Sequence, residues 1–393
     1  MSRTSVLAAF LPAHAETLNA FLRASRTAAL SKHFQRLHVV MGNEACDADS
    51  MVSSLVHAFV ADEKKSTTPS ASTVFLPVMS VNRDQFSLRC EVDSLFRAAH
   101  IDLDALVFQD EIDLAAVHAS KQLDLTLTDH NKLKRGFASL DSSVVAIIDH
   151  HEDLGCHEHV SGPERNIAFV RNDKGGEVLA GSCCTLIAEG IPAPTPLAAT
   201  LLIAIILLDN MNMDAKMKKG TPRDAAALAA LEPLSLVPRQ TLYDYLVFEK
   251  FNPANWDRFT FANCLAYDYK QFESTGVSYG CSSILVDLPT FWAKGGDIAF
   301  AALEAHRATQ GLAFVVVQSM IQSGPRRQLL VYAPDAALHS ALKAYVEGVD
   351  ALQLTPASVD PRVHAYEQHN IALSRKQVVP LLDTFLKQHS SQL

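Results

Sequence analysis

The chain contains seven cysteines (46, 90, 156, 183, 184, 264 and 281) but no C-x-x-C pair, and its N-terminus lacks the basic, apolar and small-residue pattern of a signal peptide. Those absences exclude a thiolate zinc motif and a disulfide framework, and they predict reduced thiols with the cytoplasm as the expected compartment. Long apolar runs are missing as well. The most hydrophobic stretch, PLAATLLIAIILLDN from Pro196 to Asn210, offers about a dozen uninterrupted apolar residues where a membrane span needs ~20, so it predicts a buried helix and no membrane partner. No repeat recurs at a fixed period, and the one mildly biased segment, EKKSTTPSAST at 63–73, reads as a surface loop. Nor is positive charge in excess: 34 Lys and Arg against 43 Asp and Glu leave a formal net charge of -9, which disfavours nucleic acid as a partner yet permits a small basic cleft for an anion.

What the chain does have is an ordinary globular composition, 48% hydrophobic and 20% charged, over 393 residues. That length exceeds the ~250–300 residues at which single cores stop growing, so two domains are expected. After a helical N-terminal segment (AETLNAFLRASRTAALSKHF), short apolar runs alternate with helical patterns: LHVVM then SMVSSLVHAFV, STVFLPVM then LRCEVDSLFRAA, followed by ALVF, LDLTLT, SVVAIID and IAFV. This is βαβ rhythm and predicts an α/β fold with a doubly wound, largely parallel sheet over the first ~210 residues. The expected bounds are a catalytic domain over 1–215, a helical connector over 216–271 and a second, smaller α/β domain over 272–393, where SSILVDL, LAFVVVQSMI, QLLVYA and ALQLT read as strands.

Parallel sheets bind ligands at the carboxyl ends of their strands, and acidic or histidine motifs stand there. GNEACDADS places Asp47 and Asp49 after LHVVM; TDHN places Asp129 and His130 after LDLTLT; DHH places Asp149, His150 and His151 after SVVAIID. Asp209 ends the hydrophobic segment, where burial and the negative end of a helix both disfavour a carboxylate and a cation would relieve both. Each has a plainer reading. Asp49 or Ser50 could cap a helix, Asp129 could begin a turn with Asn131, His150 and His151 could be a solvated pair, and Asp209 could pair with Lys216 or Lys218. Four such motifs in one domain, all oxygen and imidazole donors, suit Mg²⁺, Mn²⁺ or Co²⁺.

Together GNEACDADS (42–50), TDHN (128–131), DHH (149–151), LLDN (207–210) and SRKQVVP (374–380) resemble the DHH phosphoesterases, in the branch of family II inorganic pyrophosphatases and eukaryotic exopolyphosphatases. The resemblance covers most of the chain. It implies a DHH domain followed by a DHHA2-like domain, and two divalent cations: one held by Asp47, Asp129 and Asp209, the other by Asp49, Asp129, His150 and Asp209, with Asp149 orienting the histidines and His151 facing phosphate. It also implies Arg375 and Lys376 as substrate groups delivered from the second domain. Asn43 stands where the pyrophosphatases carry His, as in the exopolyphosphatases, and is expected beside the substrate. The run AKMKKGTPR (215–223) offers Lys219 and Arg223 as further phosphate contacts, and Arg326 and Arg327 in SGPRRQ either extend a phosphate track or decorate a hairpin turn.

The function implied is a metal-dependent exopolyphosphatase that releases orthophosphate from the ends of inorganic polyphosphate through a hydroxide bridging two metals, acting as a monomer. An inorganic pyrophosphatase, and a scaffold protein that has lost catalysis, are the alternatives. The nuclease branch carries a glycine-rich, histidine-containing motif in its second domain. Neither Gly175–Gly176 nor Gly295–Gly296 is followed by His, which argues against that branch.

Overall fold

The computed structural model describes residues 14–65, 73–172, 176–321 and 324–389. Most of the expected 63–73 surface loop lies outside the described residues. Two compact units divide between Lys250 and Phe251, and no helix among the described residues is long and apolar enough to cross a membrane.

In the first unit, β1 (Arg36–Met41), β2 (Thr73–Met79), β3 (Val107–Phe108), β4 (Leu123–Thr128), β5 (Val144–Asp149) and β6 (Arg165–Ile167) form a sheet of order β3-β2-β1-β4-β5-β6. Every neighbouring pair is parallel. Helices cover both faces, so strand residues of either parity are buried and the strands read as apolar runs. Val40, Met79 and Phe108 join the core under the helices Glu16–Leu30, Ala48–Lys65 and Pro196–Asp209. Leu37, Val39, Leu125, Leu127 and Ile147 join a second core on the other face. The expected strand IAFV is broken at Ala168 into β6 and a two-residue β7 (Phe169–Val170), which pairs with β8 (Glu177–Val178).

The order reverses direction between β1 and β4, which opens a crevice at the carboxyl ends of those two strands. Asp49, Asp129 and His150 all follow from that edge. The helix Pro196–Asp209 starts on Pro196 at its first position with Thr195 capping the Ala198 N–H at 3.2 Å, an arrangement suited to a helix start. Its residues from Leu197 to Leu208 are buried all round, as an all-apolar helix must be.

The stretch 216–271, expected as a connector, is shared between the units. Leu228, Leu231, Leu242 and Leu246, from the helices Pro222–Leu231 and Arg239–Phe251, pack into the first unit's core. Pro253–Asp257 and Phe261–Ala266 belong to the second unit.

That second unit carries β9 (Lys270–Ser274), β10 (Val277–Ile284), β11 (Phe314–Ile321), β12 (Arg326–Tyr332), β13 (Leu354–Ala357) and β14 (His364–Gln368) in the order β13-β14-β12-β11-β10-β9. Only β10 and β11 run parallel; the other pairs are antiparallel. Tyr279, Cys281, Phe314 and Val316 pack one face against the helices Ala336–Glu347 and Arg375–His389.

Because Ile203 is fully buried at the middle of the helix that ends in Asp209, Ile203→Ala is expected to cost about 2–4 kcal/mol, read as a lower urea midpoint for the first unit's transition. A midpoint equal to wild type would show that this helix is not part of the cooperative core.

Candidate metal centre

The chain leaves β1 at Gly42, where an added Cβ would sit 2.3 Å from the Ser50 Cβ and 2.7 Å from the Ser50 Cα. Only a residue without a side chain lets the helix Ala48–Lys65 start this close to the strand end. Asp47 Oδ1 accepts from the Ser50 N–H at 3.1 Å, so Asp47 performs the capping considered for Asp49 or Ser50. Buried Arg89 steadies the turn by donating to the Cys46 carbonyl at 3.1 Å.

Asp129 directly follows β4 with φ of 64°, a left-handed conformation that costs most residues about 1–2 kcal/mol and that Asp tolerates better than most. Its side chain is 2% exposed. Oδ2 accepts from Asn43 Nδ2 and from Ser50 Oγ, each at 2.7 Å, while Oδ1 faces the histidines. Asn43, expected beside the substrate, has its other end engaged too: Oδ1 accepts from the N–H groups of Ala45 at 2.9 Å and Cys46 at 3.2 Å.

Beyond β5, Asp149 Oδ1 accepts from the backbone N–H groups of His150 and His151 and from His151 Nδ1 at 2.8 Å, and Oδ2 accepts from Asn131 Nδ2 at 2.6 Å. Burial raises the pKa of this carboxyl, but the bond from His151 and the charges of both histidines outweigh it and hold the group below the usual carboxylate range. Asp149 therefore orients the pair. His150 Nδ1 reaches the Ala180 carbonyl at 3.0 Å. A carbonyl can only accept, so Nδ1 carries the hydrogen. Nε2 then points at Asp129 Oδ1, 3.2 Å away, and Asp49 Oδ2, 3.6 Å away.

Asp49 is 4% exposed. It accepts from Ser182 Oγ at 2.9 Å and from the N–H groups of Cys183 and Cys184 at 2.6 and 2.9 Å, at the start of the helix Cys183–Glu189. Burial, then the neighbouring Asp129 charge, pushes its pKa up to about 7. Asp209 is raised well above the carboxylate range by burial and by Asp49 and Asp47, with Lys250 and His150 pulling the other way. Its Oδ2 is buried without a hydrogen-bond partner among the described residues.

This donor set fits divalent cations. An imidazole lone pair aimed at two carboxylates, beside an orphaned carboxylate oxygen, is favourable only if a proton or a cation lies between them. Asp129, His150 and His151 each place a ligand atom within 4.8 Å of the others. Asp47, Asp49 and Asp209 join them through their mutual electrostatic effects. The carbonyl behind His150 is the kind of outer partner that fixes a metal-binding tautomer.

The basic residues are paired or exposed. Arg223 pairs with Glu189 at 2.9 Å, and Lys219 is exposed. In the second unit, Arg375 donates to Asp268 Oδ1 at 2.7 Å and Lys376 is exposed. The sequence reading did not identify the donors Ser50 and Ser182 or Asn131 as the support of Asp149. Only Ser50 left a signal, standing eight residues after a glycine that opens space for it.

Residues 253–385 match the DHHA2 domain family. The chain is 34% identical over 367 residues to human exopolyphosphatase PRUNE1, covering 89% of this chain and 76% of that protein. It is 28% identical over 380 residues to a Schizosaccharomyces pombe protein assigned as an exopolyphosphatase, covering 90% of this chain and 92% of that one. Among solved structures, a Methanococcus jannaschii protein assigned to the family II inorganic pyrophosphatases shares the fold, with a TM-score of 0.60 at 19% identity over 89% of this chain and 99% of that one.

Two measurements check the centre. A carboxyl whose folded-state pKa lies above its unfolded value binds extra protons in the folded state between those values, so metal-free stability contributed at Asp49 falls as pH rises from about 4 to about 7. A cation that displaces such protons should release protons on binding near pH 6, detected by calorimetry in buffers of different ionisation enthalpy and fewer in Asp49→Asn than in wild type. Zero release would contradict the burial of Asp49. Ser50→Ala should keep the fold and weaken Mg²⁺ or Mn²⁺ binding roughly tenfold; a change under about twofold would mean Ser50 does not orient Asp129.

Proposed function

The chain belongs to the DHH phosphoesterase superfamily, in its exopolyphosphatase branch of phosphoanhydride hydrolases, and from that premise we propose that it removes terminal orthophosphate from inorganic polyphosphate. The first unit is the catalytic one. Asp47, Asp49, Asp129, His150 and Asp209 would hold two divalent cations there, and the observation that carries the reading is the His150 imidazole aimed at Asp129 and Asp49. Such cations supply Lewis acidity, neutralising phosphate oxygens and lowering the pKa of an attacking water.

The protein's own part is positioning. Asp149 accepts from His151 Nδ1 and so orients the ring, and His151 would meet a phosphate oxygen. Asn43 and Ser50 hold Asp129 Oδ2, so Oδ1, which faces the histidines, is the oxygen that would turn to a cation. Hydrogen bonds spread the charge of Asp129, and Asn43 brings no nitrogen ligand, so the set favours hard Mg²⁺ more than an extra imidazole would, with Mn²⁺ and Co²⁺ as competitors. Arg375 and Lys376 would bind the phosphate chain from the second unit. Lys219 is a further contact, and Arg223 becomes one only by leaving Glu189.

The test is kcat/KM for pyrophosphate, tripolyphosphate and long polyphosphate, with Mg²⁺ and Mn²⁺ separately. Preference for tripolyphosphate or longer chains is expected. Preference for pyrophosphate would make the chain a pyrophosphatase, and no hydrolysis with any divalent metal would favour the scaffold reading. Asp129→Ala should lower kcat by about 10³-fold or more and weaken metal binding together; turnover retained would remove Asp129 from the centre. Arg375→Ala with Lys376→Ala should raise KM for polyphosphate, and unchanged kinetics would remove that pair from the substrate site.

A further inference from the structure

The chain that follows Asp209 folds against its own preference. Met211, Asn212 and Met213 have φ of 49°, 56° and 62°, three left-handed residues in succession and none of them glycine, whereas L-residues enter this region singly. Such a run persists only where the surroundings over-determine it. Arg239, at the start of the helix Arg239–Phe251, supplies that constraint. Its Nε donates to Asn212 Oδ1 at 2.8 Å and its Nη2 to the Asn212 carbonyl at 2.9 Å, a two-pronged grip on the middle residue of the turn. Asn212 Nδ2 donates to Gln240 Oε1 at 2.9 Å, and the remaining Arg239 nitrogen, Nη1, donates to Glu232 Oε1 at 2.9 Å.

The ends of the turn connect it to the candidate centre. The Met213 N–H donates to the Asn210 carbonyl at 2.9 Å, so the turn closes directly on the residue after Asp209. Asn210 is fully buried, yet neither end of its amide has a hydrogen-bond partner among the described residues, so packing is what fixes it. That packing is on Gly181, where an added Cβ would collide with Asn210 Oδ1 and lie 2.9 Å from the Lys219 carbonyl oxygen. Met213 in turn packs on Gly220. Both ends of the loop 210–220 thus converge on Gly181, whose own N–H is held by Asp224 Oδ2 at 2.9 Å. Gly181 stands between the Ala180 carbonyl that accepts from His150 and the Ser182 hydroxyl that donates to Asp49. Asp209, His150 and Asp49 therefore share one packing junction, and Arg239 secures the turn that closes it.

We propose that Arg239 is a positioning residue of the metal centre: by gripping Asn212 it holds the left-handed turn Met211–Met213, and through that turn it holds Asp209 and the segment Ala180–Ser182 in the arrangement a divalent cation needs. The inference rests on the reading of the first unit as a divalent-cation centre. It assigns the strain of the turn a use, since a turn that would otherwise relax is kept in one conformation by a guanidinium whose planar fork matches two oxygens of one residue.

The experiment titrates Mn²⁺ by calorimetry into the full chain, stripped with EDTA and dialysed, well below its thermal midpoint, alongside hydrogen exchange of residues 210–220 in the metal-free protein. Arg239→Gln and Asn212→Gly are each expected to weaken Mn²⁺ binding about tenfold and to speed exchange across 210–220. Glycine accepts the left-handed conformation, so Asn212→Gly removes a prong of the grip without adding strain. Arg239→Lys keeps the charge but cannot span both Asn212 oxygens, and should behave like Arg239→Gln. Glu232→Gln leaves the grip on Asn212 intact and should bind Mn²⁺ within about twofold of wild type. Mn²⁺ affinity within about twofold of wild type in both Arg239→Gln and Asn212→Gly overturns the proposal, since a merely structural turn would lower the thermal midpoint and leave the affinity of the folded protein unchanged. Equal weakening in Glu232→Gln overturns it as well. A wild type that binds no Mn²⁺ would overturn the metal centre and the proposal with it, whereas wild type and variants that bind Mn²⁺ alike would leave the centre standing without Arg239.

Discussion

The first unit is organised around carboxylates that repel one another and are nevertheless buried together. Asp49 and Asp129 flank one imidazole nitrogen, and Asp49 and Asp47 both raise the pKa of Asp209. Left to relax in water these side chains would separate. They are held by donors that cannot move: two backbone N–H groups and Ser182 on Asp49, Asn43 and Ser50 on Asp129, and the His150 and His151 backbone on Asp149. A polar group fixed in this way is preorganised, and its reorganisation cost is met during folding instead of during ligand binding.

The parallel sheet explains why the donors are available. Strands that end side by side deliver their following loops to one edge, and the order reversal between β1 and β4 keeps those loops from being covered by the next crossover. Glycine at 42 lets the helix bearing Asp49 and Ser50 begin within contact of the strand end. The same geometry sets Asp129 into a left-handed conformation, a local strain tolerated because Asn43, Ser50 and the Ile148 carbonyl, which accepts from its N–H at 2.9 Å, fix it from three directions.

How much of this was legible depended on whether the signal was local. The apolar runs and the acidic residues that end them are contiguous, so the sheet, the motif positions and the helix from Pro196 could be read directly. β14, HAYEQ, could not: it lies inside the second sheet but only Ala365, Tyr366 and Gln368 are buried, too few apolar residues for a strand pattern. β9, KQFES, is an edge strand with no fully buried residue and is equally silent. The bonds to Asp49 join residues 133 to 135 apart in the chain, and no local pattern encodes such a pairing. The expected 216–271 connector has the same cause. Helical periodicity was visible there, but the core each helix joins is a tertiary fact.

The helix ending in Asp209 shows how the fold tolerates its least favourable carboxyl. Burying each large side chain between Leu197 and Leu208 contributes roughly 1.5–3 kcal/mol, whereas an isolated buried carboxylate would cost more than several such residues supply. Burial and the charges of Asp49 and Asp47 raise the pKa of this group, which shifts it toward the neutral form that costs less to bury. Burial and the neighbouring carboxylates raise the pKa of Asp209 and push that of Asp49 up to about 7, so both hold a proton more tightly than an ordinary carboxyl. A cation held here would compete with those protons before it gained full charge attraction. Affinity is set by how tightly those protons are held as much as by the number of oxygens, and burial by the apolar helix and its neighbours is what holds them.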